Sequence, residues 1–234
     1  MKSTFFDYLI SFFFNGQKPI TMEDITDHFS EFNRLGLLPG SLQATNIITG
    51  DIKYFPQLTT VDKKWQVNIT DQRIDIHFNP VSDFITNADV INEFYEKSFT
   101  IIDSIMRISG IAANRVALNS SFTANWPVNY AKYLAKSSML FQDITEWSTR
   151  YVSILNFQDE RINVILEVSY SQGTAIPLGN MIRKIDGTMY HFDINTRQEL
   201  IESRFNLENY KDILNEIKRI RSELITKIWS GINE

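Results

Sequence analysis

From Trp65 to Phe78 the chain reads WQVNITDQRIDIHF. Trp65, Val67 and Ile69 alternate with Gln66, Asn68 and Thr70, and Ile74, Ile76 and Phe78 alternate with Arg73, Asp75 and His77. Successive side chains on a strand point to opposite faces, so each run has one apolar face and one polar face. Two such runs joined at Asp71-Gln72 predict a β-hairpin. Asp-Gln lacks the glycine that a type I′ turn prefers, which predicts a bulge or a longer loop at that point. A sheet of such strands covers one face and leaves the other polar, as antiparallel sheets permit.

The stretch returns farther along the chain. NITDQRIDIHFN, Asn68 to Asn79, and NFQDERINVILE, Asn156 to Glu167, align Asn68 with Asn156, Asp71 with Asp159, Arg73 with Arg161 and Ile74 with Ile162. Alternating strands around an acidic turn need few residue types, so the match gains weight only from its surroundings. In the first half, Thr4 to Phe14 reads as a buried strand. Thr21 then caps an amphipathic helix carrying Ile25, Phe29, Phe32 and Leu35, which GLLPG stops. Ala44 to Tyr54 is extended, and Thr86 to Ser109 is a helix with Val90, Ile91, Phe94, Ile101, Ile102, Ile105 and Ile108 on one face and Gly110 just past its end. In the second half, Arg115 to Ala124 is extended and Asn129 to Phe141 helical. TRYVSILNF and RINVILEVSY make a hairpin around Asp159-Glu160, Thr188 to Thr196 is a strand, and a final helix runs from Asn206 to about Ser230. The shared order of strand, helix, three strands and helix predicts an α+β fold. It is one domain over 1–234, an antiparallel sheet assembly from two related halves, 1–112 and 113–234, with the long helices packed on the sheet. Joining the halves edge to edge and packing them face to face both satisfy the pattern.

Composition supports a strand-rich globular chain: 17 Phe, 9 Tyr and 4 Trp in 234 residues, at 43% hydrophobic and 22% charged. Zero Cys excludes disulfides, thiolate zinc sites and a cysteine nucleophile, and the cytoplasm is the expected compartment. The opening MKSTFFDYLISFFFNG imitates a signal peptide, but Asp7 interrupts the apolar run and no small-x-small site follows. The run from Thr4 to Phe14 is also far short of the ~20 residues of a membrane-spanning helix, so no membrane association is expected. A net charge of −5 gives no global attraction to phosphate backbones. Any nucleic-acid site would be local, at Lys218, Arg219 and Arg221, and Glu216 and Glu223 flank that cluster as on a solvated mixed-charge face.

No phosphate-binding loop, GxSxG, HExxH or GxGxxG motif is present, and no cofactor is implied. The sharpest constellation is Asp75-x-His77 with His191-x-Asp193. Each dipeptide sets an imidazole beside a carboxylate on one strand face. If the two strands were neighbours, the four groups would gather around a metal or form an acid/base pair. Solvent-facing strand positions are also simply polar, and these residues fill such positions without needing a task. Arg73 and Arg161 follow the two hairpin turns, where they would pair with Asp71 and Asp159 or hold an anionic ligand. Trp126 and Trp147 flank the helix at Asn129 to Phe141, as core lids or as interface anchors.

With KKWQVNITDQRIDIHF ahead of one long helix and YHFDINT ahead of another, the chain resembles a sporadically distributed family of uncharacterised prokaryotic proteins. The resemblance runs from about Trp65 onward, and its motifs are hydrophobic patterns without invariant chemistry. The aromatic N-terminal strand departs from it, as does the strand after the first long helix, whose arginines are reduced to Arg115. It implies a patchily inherited accessory gene and carries over no catalytic residue. Acidity, aromatic richness and missing motifs point to a non-catalytic, protein-binding component of a prokaryotic complex, in defence, regulation or toxin neutralisation. A metal-assisted hydrolase or nuclease and a sequence-tolerant nucleic-acid binder are the alternatives.

Overall fold

The computed structural model describes residues 3–14, 17–80, 87–124, 146–178 and 181–230. Its strands are β1 (Ser3–Phe13), β2 (Leu38–Thr45), β3 (Ile52–Thr59), β4 (Trp65–Ile69), β5 (Arg73–Phe78), β6 (Arg115–Ala124), β7 (Glu146–Phe157), β8 (Glu160–Leu178) and β9 (Met181–Thr196). They form one nine-stranded sheet in the order β2-β3-β4-β5-β1-β6-β9-β8-β7, every pair antiparallel. The described helices are α1 (Met22–Asp27), α2 (Phe29–Arg34), α3 (Asn87–Ser109) and α4 (Tyr210–Ser230). Fold class is therefore mixed α+β, mostly sheet. Pairing of β1 with β6 from Ser3↔Ala124 to Phe13↔Arg115 puts the strands of both halves edge to edge in one sheet.

Alternation along each strand becomes rows of apolar side chains across the sheet. Leu58, Val67, Ile76, Ile10, Leu118, Ile194 and Val164 are register partners in succession from β3 to β8, and all are buried. The next row runs Trp65, Phe78, Tyr8, Ser120, Phe192. On α3, Phe94 sets its ring 5.2 Å from that of Tyr8, 5.8 Å from Phe78 and 5.9 Å from Trp65, while on α4 the Tyr210 ring lies 5.6 Å from Phe12. Tyr210 Oη also donates to Asp103 Oδ1 at 2.6 Å, tying the two long helices together.

Three local expectations change. The helix expected to run from Thr21 past Leu35 breaks at His28, whose ring nitrogen takes the Asp24 carbonyl at 2.9 Å, the acceptor that a continuous helix would offer to the His28 amide. Ala44 to Tyr54 is a β2–β3 hairpin with a turn at its middle, not one extended run. The turn between β4 and β5 needs no glycine because Thr70 Oγ1 accepts from the amides of Gln72 and Arg73. The hairpins aligned by sequence also hold different places: β5 lies beside β1, whereas the strand beside β6 is β9 and not β8. Trp126 and the helix expected at Asn129 to Phe141 lie outside the described residues.

Phe94→Ala removes the ring that three strands share. We expect a loss of about 3–5 kcal/mol in urea unfolding with little change in far-UV circular dichroism.

Candidate functional site

Asp75 and His77 on β5 and His191 and Asp193 on β9 do share the polar face, but β1 and β6 stand between them. Three inter-strand steps separate the two pairs by ~14 Å, so the quartet is not assembled. Asp75, His191 and Asp193 have local partners instead. Asp75 is buried, accepts from Ser11 Oγ at 2.6 Å and pairs with Arg73 Nε at 2.8 Å. His191 Nδ1 lies 2.8 Å from Ser121 Oγ, and Asp193 accepts from Asn195 at 2.9 Å. Among the described residues no group of three or more His, Asp or Glu is placed to hold a metal ion.

The residue that does stand between the histidines is Asp7 on β1. It pairs in register with Ser121, on the face that carries Leu9 opposite His77. Burial pushes its carboxyl above the ordinary carboxylate range, and the charges of His77 and His191 both oppose that shift. The signal was present in the sequence: Asp7 has the strand parity of Ser11, the polar side of an otherwise aromatic strand.

The cations behave differently from their sequence reading. Arg73 pairs with Asp75 rather than with Asp71, which Lys53 takes at 3.2 Å. Arg161 is exposed opposite Asn156, and the Asp159 carbonyl accepts from Arg197. In the basic cluster of α4, Lys218 donates to Asn92 and Arg219 is held between Glu216 and Glu223. Arg221 is fully buried: its Nε donates to Ser120 Oγ at 2.7 Å and its guanidinium lies 5.1 Å over the Tyr8 ring. Ser120 is the one small residue in its row, and it leaves the space that the guanidinium fills. A solvated three-cation stripe is therefore absent at this cluster. Trp147 on β7 is partly buried against the core, as a lid.

Exposed apolar chemistry gathers elsewhere. β3 pairs with β4 only from Gln57 to Thr59, whereas β2 and β3 pair from Leu38↔Thr59 out to Thr45↔Ile52. The outer half of that hairpin therefore projects past the sheet as a two-stranded arm. At its tip the Gly50 amide donates to the Asn46 carbonyl, Asn46 Oδ1 accepts from the amides of Ile48 and Thr49, and Gly50 closes the turn at φ 76°. That φ lies in the left-handed region, where glycine carries no Cβ penalty. Polar groups are thus satisfied within the turn, and what it presents is Ile47, 98% exposed, and Ile48, 95% exposed. Ile52 and Tyr54 continue the exposed apolar surface down the arm, beside a cleft of about 650 Å³ walled by Pro19, Ile20, Tyr54 and Pro56.

No protein-family model matches the chain, and no curated protein matches it. Among solved structures, a rolling circle replication initiator protein from Geobacillus stearothermophilus is similar at 9% identity and a TM-score of 0.29, over 85% of this chain and 75% of that one. A likeness of that size carries no argument about this protein. No described helix is long and apolar enough to cross a membrane.

Asp7 gives the site a pH signature. Its folded pKa lies above the unfolded value, so the stability it contributes is fullest below the unfolded value and is lost as pH rises through the folded one. Asp7→Asn should therefore raise the melting temperature at pH 7, and the gain should shrink as the pH falls towards about 4 and be gone below it. A lower melting temperature for the variant at pH 7 would contradict this.

Proposed function

We propose that this chain is a non-catalytic protein-binding component of a prokaryotic complex, acting in the cytoplasm, and that the β2–β3 arm is its recognition element. The observation that carries the reading is the tip: two adjacent isoleucines held in solvent by a turn whose polar groups bond to one another. Two almost fully exposed isoleucines on a preorganised turn cost solubility without adding to the core, and they fit anchors for a hydrophobic pocket on another protein. Preorganisation lowers the entropy lost on binding. The net charge of −5 and the pairing of Arg219 favour a protein over a nucleic acid as the occupant.

The broad sheet serves as the support for the arm. Mirrored strand order around the β1–β6 pair favours a duplicated unit, each half carrying its long helix on the apolar face, but it sets β4–β5 against β8–β9 and not against the β7–β8 hairpin aligned in the sequence. The resemblance to a patchily distributed accessory family suits a role in defence, regulation or toxin neutralisation.

The test is capture from the native host with the full chain, then titration of any stoichiometric protein partner. Ile47→Asp with Ile48→Asp should leave the melting temperature within experimental error and weaken the interaction by about 2 kcal/mol or more, roughly 30-fold. A partner that binds the double variant as tightly as the wild type sinks the assignment of the arm.

A further inference from the structure

The far edge of the sheet is built differently from the arm. β7, of 12 residues, pairs with β8, and no other described strand pairs with its far side. Phe157 and Glu160 flank a two-residue turn, Gln158-Asp159, with Gln158 at φ 52°. Such a closing pair exchanges both of its hydrogen bonds, so counting back from Phe157 the odd-numbered residues bond to β8. Ser148, Arg150, Val152, Ile154 and Asn156 therefore aim their amides and carbonyls outward. Natural edges are blunted by proline, lysine, shortness or a bulge. The opposite edge, β2, has 8 residues and carries Pro39 and Gly40. β7 has no Pro, Gly or Lys, and its Tyr151, Val152, Ile154 and Leu155 are 47%, 57%, 49% and 40% exposed, on both faces.

We propose that β7 is a self-pairing edge, joining two copies of this chain antiparallel about Ser153 into one continuous sheet. The occupant follows from the residue order. Tyr151-Val152-Ser153-Ile154-Leu155 reads the same in residue class from either end. Antiparallel pairing about Ser153 sets Val152 against Ile154 of the second copy on the polar-face side. On the helix side it sets Tyr151 against Leu155, and each pair occurs twice by symmetry. Arg150 meets Asn156, and the two Arg150 residues are held ~20 Å apart, more than twice the Debye length of ~8 Å in physiological salt. Val152 and Ile154 are outward-bonding residues, so this register also satisfies the open backbone groups. Shifting the axis to Val152 would set Arg150 against Ile154 and Tyr151 against Ser153, and would lose the apolar match. This surface lies at the other end of the sheet from the arm and is independent of the partner proposed there.

The chain has no cysteine, which makes a direct test available. Ser153 would face its own copy in a pair that shares no hydrogen bond, where the Cα atoms lie about 4.5 Å apart, within the span of a disulfide. Full-length Ser153→Cys should oxidise to a covalent dimer much faster than a control carrying Glu208→Cys on an exposed loop. Light scattering should give the wild type twice the mass of one chain across the micromolar range. Ile154→Pro should return it to one chain, because that amide points away from β8 and proline is tolerated at such edge positions. If Ile154→Pro does not fold, the Ser153→Cys comparison decides by itself. A wild type that stays monomeric, oxidation no faster than the control, or a dimer that survives in folded Ile154→Pro each overturns the proposal.

Discussion

Everything in this fold depends on the pairing of β1 with β6. Residues far apart in sequence meet there, and their register sets which side chains of nine strands share a face. Tyr8, Ile10 and Phe12 along β1 and Phe14 just past its end are all buried, each with 1% or less of its surface exposed. An 11-residue strand of this composition would be insoluble as an edge, and the sheet places it fifth of nine. Burial of that many aromatic rings is worth roughly 1.5–3 kcal/mol each before the entropy of ordering them, so the centre is where the fold gains most.

Two costly polar groups, Asp7 and Arg221, also meet this central pair. Asp7 stands on one face and Arg221 reaches the other, and neither is exposed as a surface charge would be. Arg221 enters from α4 through the gap left by Ser120, and its contacts with Ser120 and Tyr8 tie the helix to both central strands. A buried cation held in this way fixes one position of the helix along the sheet, because sliding by a turn would strip it of those contacts. Among the described residues Asp7 has no such close partner; burial raises its carboxyl, and the charges of His77 and His191 offset only part of that shift.

Much of this was legible in the residues, and the losses have definite causes. β4, β5, β6 and the two long helices follow from periodicity with their ends nearly in place, because period 2 and period 3.6 are local properties. Arg221 could also have been placed, since it lies four residues after Ile217 and three before Leu224, on the apolar stripe. Reading it with Lys218 and Arg219 as a cluster followed sequence adjacency instead of helical spacing. Strand order was not legible: nothing local says that β5 and β9 are held apart by β1 and β6. The Asp75, His77, His191, Asp193 quartet therefore fell into two separate pairs. The arm was missed because its turn draws on Asn46 and Gly50 with Ile47 and Ile48 between them, and isoleucines ordinarily mark a strand rather than a turn.

The two ends of the sheet then show opposite solutions to one problem. An open antiparallel sheet always has two edges, and each offers unpaired backbone groups to any extended chain. At β2 the edge is short and interrupted by Pro39, and the exposed apolar groups have moved off the sheet onto a turn whose backbone is already satisfied. That geometry offers side chains and withholds hydrogen bonds, so it selects for a pocket. At β7 no described strand takes the far side, proline is absent, and the apolar residues lie on both faces around a serine. That geometry offers hydrogen bonds and side chains together, so it selects for a strand of matching order, and the strand that matches is its own.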